Sequence, residues 1–210
     1  MSDKNNNFNF MLKEYEMHYG KFEMHYNAVE KTISLYFIII AGIISANGFF
    51  LKNINDFLIF ELNDFQILCC LFIALIGLIT ILKVIEHRIL IIKYVKNLNL
   101  KRKWFIDNSG KDNLDKYSVF KANYDSPKYY KRFSHFFWEI SGISIINSCF
   151  LSIFTINIFT KLNFHSNYFS IINWGWFFVL NICFFLCMIT IYRQRSKKEE
   201  IKLKERMNAL

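Results

Sequence analysis

Residues 65–82 read FQILCCLFIALIGLITIL and residues 171–192 read IINWGWFFVLNICFFLCMITIY, and neither run carries a charge. A helix rises about 1.5 Å per residue, so about 20 residues cross the roughly 30 Å hydrocarbon layer of a bilayer. Both runs have that length. Two more complete the set: residues 32–51 (TISLYFIIIAGIISANGFFL), uncharged, and residues 136–158, with Glu139 as the one charged side chain. Charged residues are 20% of the chain, so their exclusion from four windows does not follow from scarcity. The pattern predicts an all-α integral membrane protein with four transmembrane helices.

The placement of the 26 Lys and Arg side chains tests this independently. Lys4, Lys13, Lys21 and Lys31 precede the first window, thirteen lie between Lys83 and Arg132, and seven follow Tyr192. The two remaining connections carry one each, Lys52 and Lys161, against Asp56, Glu61 and Asp64 in the first of them. Basic loops are retained on the cytosolic side, so both termini and the central segment are expected inside the cell inner membrane. The expected organisation is a cytosolic amphipathic helix over 1–31, a transmembrane hairpin over 32–82 and a basic cytosolic helical segment over 83–135. A second hairpin over 136–192 and a charged cytosolic tail over 193–210 complete it. The net charge of +9 is then a partner for anionic inner-leaflet lipid and needs no nucleic acid to explain it.

Cys69, Cys70, Cys149, Cys183 and Cys187 all fall within the windows, where a disulfide framework has no oxidant. Cys183 and Cys187 share a helix face, and small apolar packing residues are the simpler reading than a metal pair.

Outside the windows, Met11, Tyr15, His18, Phe22, Tyr26 and Val29 form an apolar stripe. Glu-Met-His-Tyr occurs at 16–19 and again at 23–26. A seven-residue repeat holds one seam against a neighbouring helix or a second copy; lying in the headgroup plane is the alternative. Val84, Ile91, Leu98 and Phe105 keep the same spacing beyond the second window, predicting one unbroken helix to about Ile106. DNSGKDNLD (107–115) reads as a loop. Ser126-Pro127 then reads as a helix start leading without a break into the third span.

The chain has seven glycines but no Gly-rich phosphate loop, no H-E-x-x-H, no C-x-x-C and no G-x-S-x-G. No catalytic constellation is recognised, so no enzymatic activity, metal or cofactor is expected. Four features remain. Ser141, Ser144, Ser148, Ser152 and Thr155 recur at spacings of three and four, one hydroxyl stripe for close helix packing or for a pore in an oligomer. Ala41/Ser45 and Gly42/Ala46 are small-residue pairs that promote packing. Glu139 is a candidate gate, or a carboxylate reaching back to Arg132, His135 or headgroups. Lys101, Arg102, Lys103 and Trp104, within KNLNLKRKWFIDN, mix cations with aromatics, a surface for membrane or protein contact or for a nucleotide or nucleic acid.

EYEMHYGKFEMHYNAVEKTI before the first window and VIEHRILIIKYVKNLNLKRKWFIDN after the second, with the span count, resemble the layout of small multi-span membrane effectors of bacterial anti-phage defence systems. The resemblance is architectural, without a diagnostic motif. It implies a homo-oligomer that forms a pore in, or otherwise perturbs, the inner membrane under control of its cytosolic helices. The residues alone leave a second reading: a non-conducting anchor or assembly factor that recruits a cytosolic protein partner.

Overall fold

A computed structural model describes residues 2–53, 62–108, 127–129, 131, 134–161 and 169–208. They form four helices: α1 (Ser2–Asn53), α2 (Leu62–Asn108), α3 (His135–Lys161) and α4 (Phe169–Asn208), with no strand among the described residues. Each helix is long and apolar enough to cross a membrane, one for each apolar window. α2 continues unbroken beyond Leu82 to Asn108, where the seven-residue spacing leads. Of the loop expected over 107–115, Asp107 and Asn108 still belong to α2; the rest of it, the connections at 54–61 and 162–168, and Ser126 lie outside the described residues.

The start of α3 differs from the sequence expectation. Pro127 to Tyr129 and Lys131 are not helical, and the helix begins at His135. Ser134 supplies the cap: its Oγ accepts from the Phe137 N–H at 3.3 Å, and its carbonyl accepts from the Trp138 N–H at 3.1 Å. A hydroxyl that satisfies one otherwise orphaned N–H of the first turn is sufficient to start a helix. Ser126-Pro127 has the right residues, but no helix grows from Pro127.

The chain divides into two compact units, and α1, α2 and α4 contribute residues to both. One unit is Met1–Glu30, Glu86–Lys131 and Ser196–Leu210. In it, α1 and α2 run antiparallel along a heptad seam. Phe8 meets Phe105 with ring centroids 5.3 Å apart, His18 meets Tyr94 at 5.8 Å, and His25 meets His87 at 5.3 Å. Val29 is buried, and Met11, Tyr15, Phe22 and Tyr26 are half-buried, whereas Phe10, Met17 and Met24 between them are exposed. The repeat of α1 therefore faces a neighbouring helix of its own chain. α4 joins through Glu199, which accepts from Lys93 Nζ at 2.8 Å and from Lys202 Nζ at 3.1 Å.

The other unit is Lys31–Ile85 and Arg132–Arg195. Its interior combines Tyr36, Ile73, Ile81, Ile140, Ile143 and Tyr192 with Ser141, Ser144, Asn147, Ser148 and Ser152, all buried. Its exterior is the greasier side: Ile38, Leu68, Phe72, Phe178, Ile182 and Leu186 are each more than half exposed. Small polar residues inside and large aliphatics outside is how helices pack when the surroundings are lipid and only close approach and hydrogen bonds hold them together.

Candidate functional site: the buried polar stripe of α3

The hydroxyl stripe faces inward. Ser144, Ser148 and Ser152 have no exposed surface, Ser141 is buried, and Thr155 is half-buried. Part of the stripe is satisfied within its own helix: Ser148 Oγ donates to the Ile145 carbonyl, Ser152 to that of Ser148 and Thr155 to that of Leu151, each at 2.8 Å. Such back-bonding removes the cost of a hydroxyl in an apolar setting but adds nothing between helices. Two contacts at Asn181 cross to α4. Ser148 Oγ lies 2.9 Å from Asn181 Oδ1, and Asn181 Nδ2 donates to Cys149 Sγ at 2.9 Å.

The next polar position on the same face is of another kind. Asn147 is fully buried, and among the described residues neither its Nδ2 nor its Oδ1 has a hydrogen-bond partner. The hydroxyls of Ser141 and Ser144 are in the same condition. Opposite Asn147 stands Gly77 of α2, buried, where an added Cβ would overlap the amide of Asn147. The absence of a side chain at 77 makes room for the amide. A buried amide without partners costs free energy, so the arrangement is an unsatisfied polar seam within an apolar unit. Sequence reasoning found the serines but missed Asn147 and Asn181, which lack hydroxyls and fell outside the pattern sought. The signal was available, since any Asn in an uncharged window is costly in lipid.

Glu139, the candidate gate, lies one turn into α3 with its Oε1 3.0 Å from His135 Nε2. The His135 ring is mostly exposed and the carboxylate mostly covered. Arg132, the other partner considered for it, lies outside the described residues.

The basic-aromatic cluster is largely turned onto α1. Lys101 Nζ donates to Glu14 Oε2 at 2.7 Å and lies 3.0 Å from His18 Nδ1. That nitrogen is also 2.8 Å from the Glu14 carbonyl. Protonated, it donates to the carbonyl; unprotonated, it accepts from Lys101; it cannot do both. The Lys101 hydrogen bond holds the Glu14 carboxyl below its ordinary pKa. The Arg102 guanidinium lies over the Tyr15 ring, 5.7 Å from its centroid, and donates to the Tyr15 hydroxyl at 3.0 Å through Nη2. Trp104 stands edge-on to Phe105. Lys103 is exposed.

The five cysteines are free thiols. Cys183 and Cys187 are exposed on α4. Ala41, Gly42, Ser45 and Ala46 are likewise exposed. Among the described residues no three His, Cys, Asp or Glu side chains are grouped to hold a metal ion.

Four membrane-length apolar helices, with small polar residues turned inward and aliphatics outward, define a multi-pass membrane protein. No protein-family model, no curated protein and no solved structure matches the chain.

Proposed function

We propose that the chain is an inner-membrane effector whose buried polar stripe on α3 is a closed permeation seam, with its basic helices and both termini on the cytosolic side. The observation that carries this reading is Asn147, fully buried with both amide atoms without a partner beside the equally unpartnered hydroxyls of Ser141 and Ser144. A packing motif would satisfy those groups, since an amide without a partner in an apolar interior costs on the order of 1–3 kcal/mol. Water and ions satisfy them when the helices part, so hydration favours the open state. Control through the cytosolic helices, homo-oligomerisation and a role in anti-phage defence extend the same reading and rest on the architectural resemblance.

Ion flux from dye-loaded proteoliposomes tests it. Acidification from pH 7.5 to 5.5 serves as the trigger, because protonating the His25–His87 contact loosens the α1–α2 seam. Flux that rises on acidification, and that Asn147→Leu abolishes while the protein keeps its folding and oligomeric state, supports a permeation seam. Vesicles that stay tight under both conditions remove it.

The second reading is a non-conducting anchor that recruits a cytosolic protein. Its support is the outward face of the first thirty residues of α1, where Phe10 is 64% and Met24 59% exposed. Tight vesicles, with cellular activity lost in Phe10→Ser/Met24→Ser, are the outcome that selects it.

A further inference from the structure

We infer that the groove between α1 and α2 in the apolar unit is a binding site for one anionic glycerophospholipid, its phosphate at Lys31 and Lys83 and an acyl chain along the isoleucines below. This holds whether or not the chain conducts.

The two helices present matching faces. Lys31, Thr32, Leu35, Tyr36 and Ile39 recur on one side of α1, and Ile76, Ile79, Thr80 and Lys83 on one side of α2; together they line a cavity of about 320 Å³. That volume is at the lower end of ordinary ligand pockets, sufficient for a headgroup and the upper part of one chain. Polarity is graded along it. Lys31 immediately precedes the first uncharged window and Lys83 immediately follows the second. Both ammonium groups therefore fall at one boundary of the hydrocarbon, at the depth of lipid phosphates.

Each lysine is exposed, and neither forms an ion pair among the described residues. Two like charges lining one small cavity repel each other unless an anion lies between them. The hydroxyl-bearing Thr32, next to Lys31, and Thr80, one turn inside Lys83, flank the same space, and Tyr36 stands in its wall. Tyr36 is 1% exposed, and its hydroxyl has no hydrogen-bond partner among the described residues. Beyond this point the lining is aliphatic, and Leu35 and Ile79, 60% and 54% exposed, open the groove sideways to lipid. A soluble phosphate fits only the polar end; a phospholipid matches both.

Native mass spectrometry of the full-length protein in detergent, titrated with phosphatidylglycerol or with phosphatidylcholine of identical acyl chains, is the test. Phosphatidylglycerol is expected to be retained selectively at one copy per chain. Lys31→Gln/Lys83→Gln should weaken its retention about tenfold and leave phosphatidylcholine unchanged. Lys103→Gln, which alters the total charge at a distant exposed site, should change neither. Three results overturn the proposal: equal retention of the two lipids, an equal loss in Lys103→Gln, or displacement of phosphatidylglycerol by millimolar glycerol 3-phosphate, which marks a free-phosphate site.

Discussion

The Nδ1 atoms of His25 on α1 and His87 on α2 lie 3.1 Å apart, with the ring of Tyr94 stacked on His25 at 5.5 Å. One imidazole donates and the other accepts, so the contact tolerates neutral rings or a single added proton. Two imidazolium rings present N–H groups to each other and repel. Burial, and then the charge of His87, hold the His25 pKa below its ordinary 6.5, opposed by Glu86. The unfolded chain binds the proton at higher pH than the folded one, so the seam keeps full stability above pH 6.5 and loses it on acidification. Thermal unfolding in detergent should show the melting temperature falling between pH 7.5 and 5.5, and a flatter profile in His25→Gln. An unchanged slope in that variant assigns the sensitivity elsewhere.

Carboxylates give a second, lower transition. Hydrogen bonds from Lys101 to Glu14 and from Lys93 to Glu199 lower both acid pKa values below 4.5. The stability they contribute is present above that pH and is lost as the pH falls through the depressed values. Glu14→Gln/Glu199→Gln should therefore be less stable than the parent at pH 7 and converge with it as the pH falls through the depressed values. A constant gap across that range contradicts the assignment.

At the Gly77–Asn147 contact, the two substitutions act in opposite directions. Gly77→Ala forces a methyl group against the Asn147 amide and should cost about 1–3 kcal/mol, the usual range for overpacking. Asn147→Leu exchanges an unpartnered amide for a side chain of similar size and should stabilise the fold by a comparable amount. Chemical or thermal unfolding of the two variants separates them. A destabilised Asn147→Leu indicates that the amide is already bonded.

Ser148 and Asn181 form the polar link between α3 and α4 in the apolar unit, and a double-mutant cycle of Ser148→Ala with Asn181→Leu isolates it. Hydrogen bonds between membrane helices average about 0.6 kcal/mol, so a coupling near that value is expected. A coupling of zero places the two groups apart in the native protein.

The cap at Ser134 is testable alone. Ser134→Ala should remove about 1 kcal/mol and increase amide hydrogen exchange in the first turn of α3, with later turns unaffected. Equal exchange across the whole helix indicates another origin for its start.

The membrane architecture was legible in the sequence because hydrocarbon imposes a length and a charge rule that four windows satisfy together. The stripe of α1 was legible through its seven-residue repeat, because seven residues return a side chain to the same face; its partner was not, since a neighbouring helix, a second copy and the headgroup plane all suit such a stripe, and only the structure sets it against α2. The direction of Lys101 and Arg102 was not. A run of cations and aromatics has the same composition whether it serves a ligand or, as here, Glu14 and Tyr15 of its own chain. The start of α3 was misplaced because two sites, Ser126-Pro127 and Ser134, carry cap residues, and a local signal does not rank them. The Gly77–Asn147 fit needed two helices in register, which residue types alone do not specify.

The notch at Gly77 bears on biogenesis. Translation delivers α2 to the bilayer before α3 emerges, so the amide of Asn147 arrives where a recess already exists. The recess supplies room and no hydrogen bond, so what it governs is how closely α2 and α3 approach once both are in the bilayer.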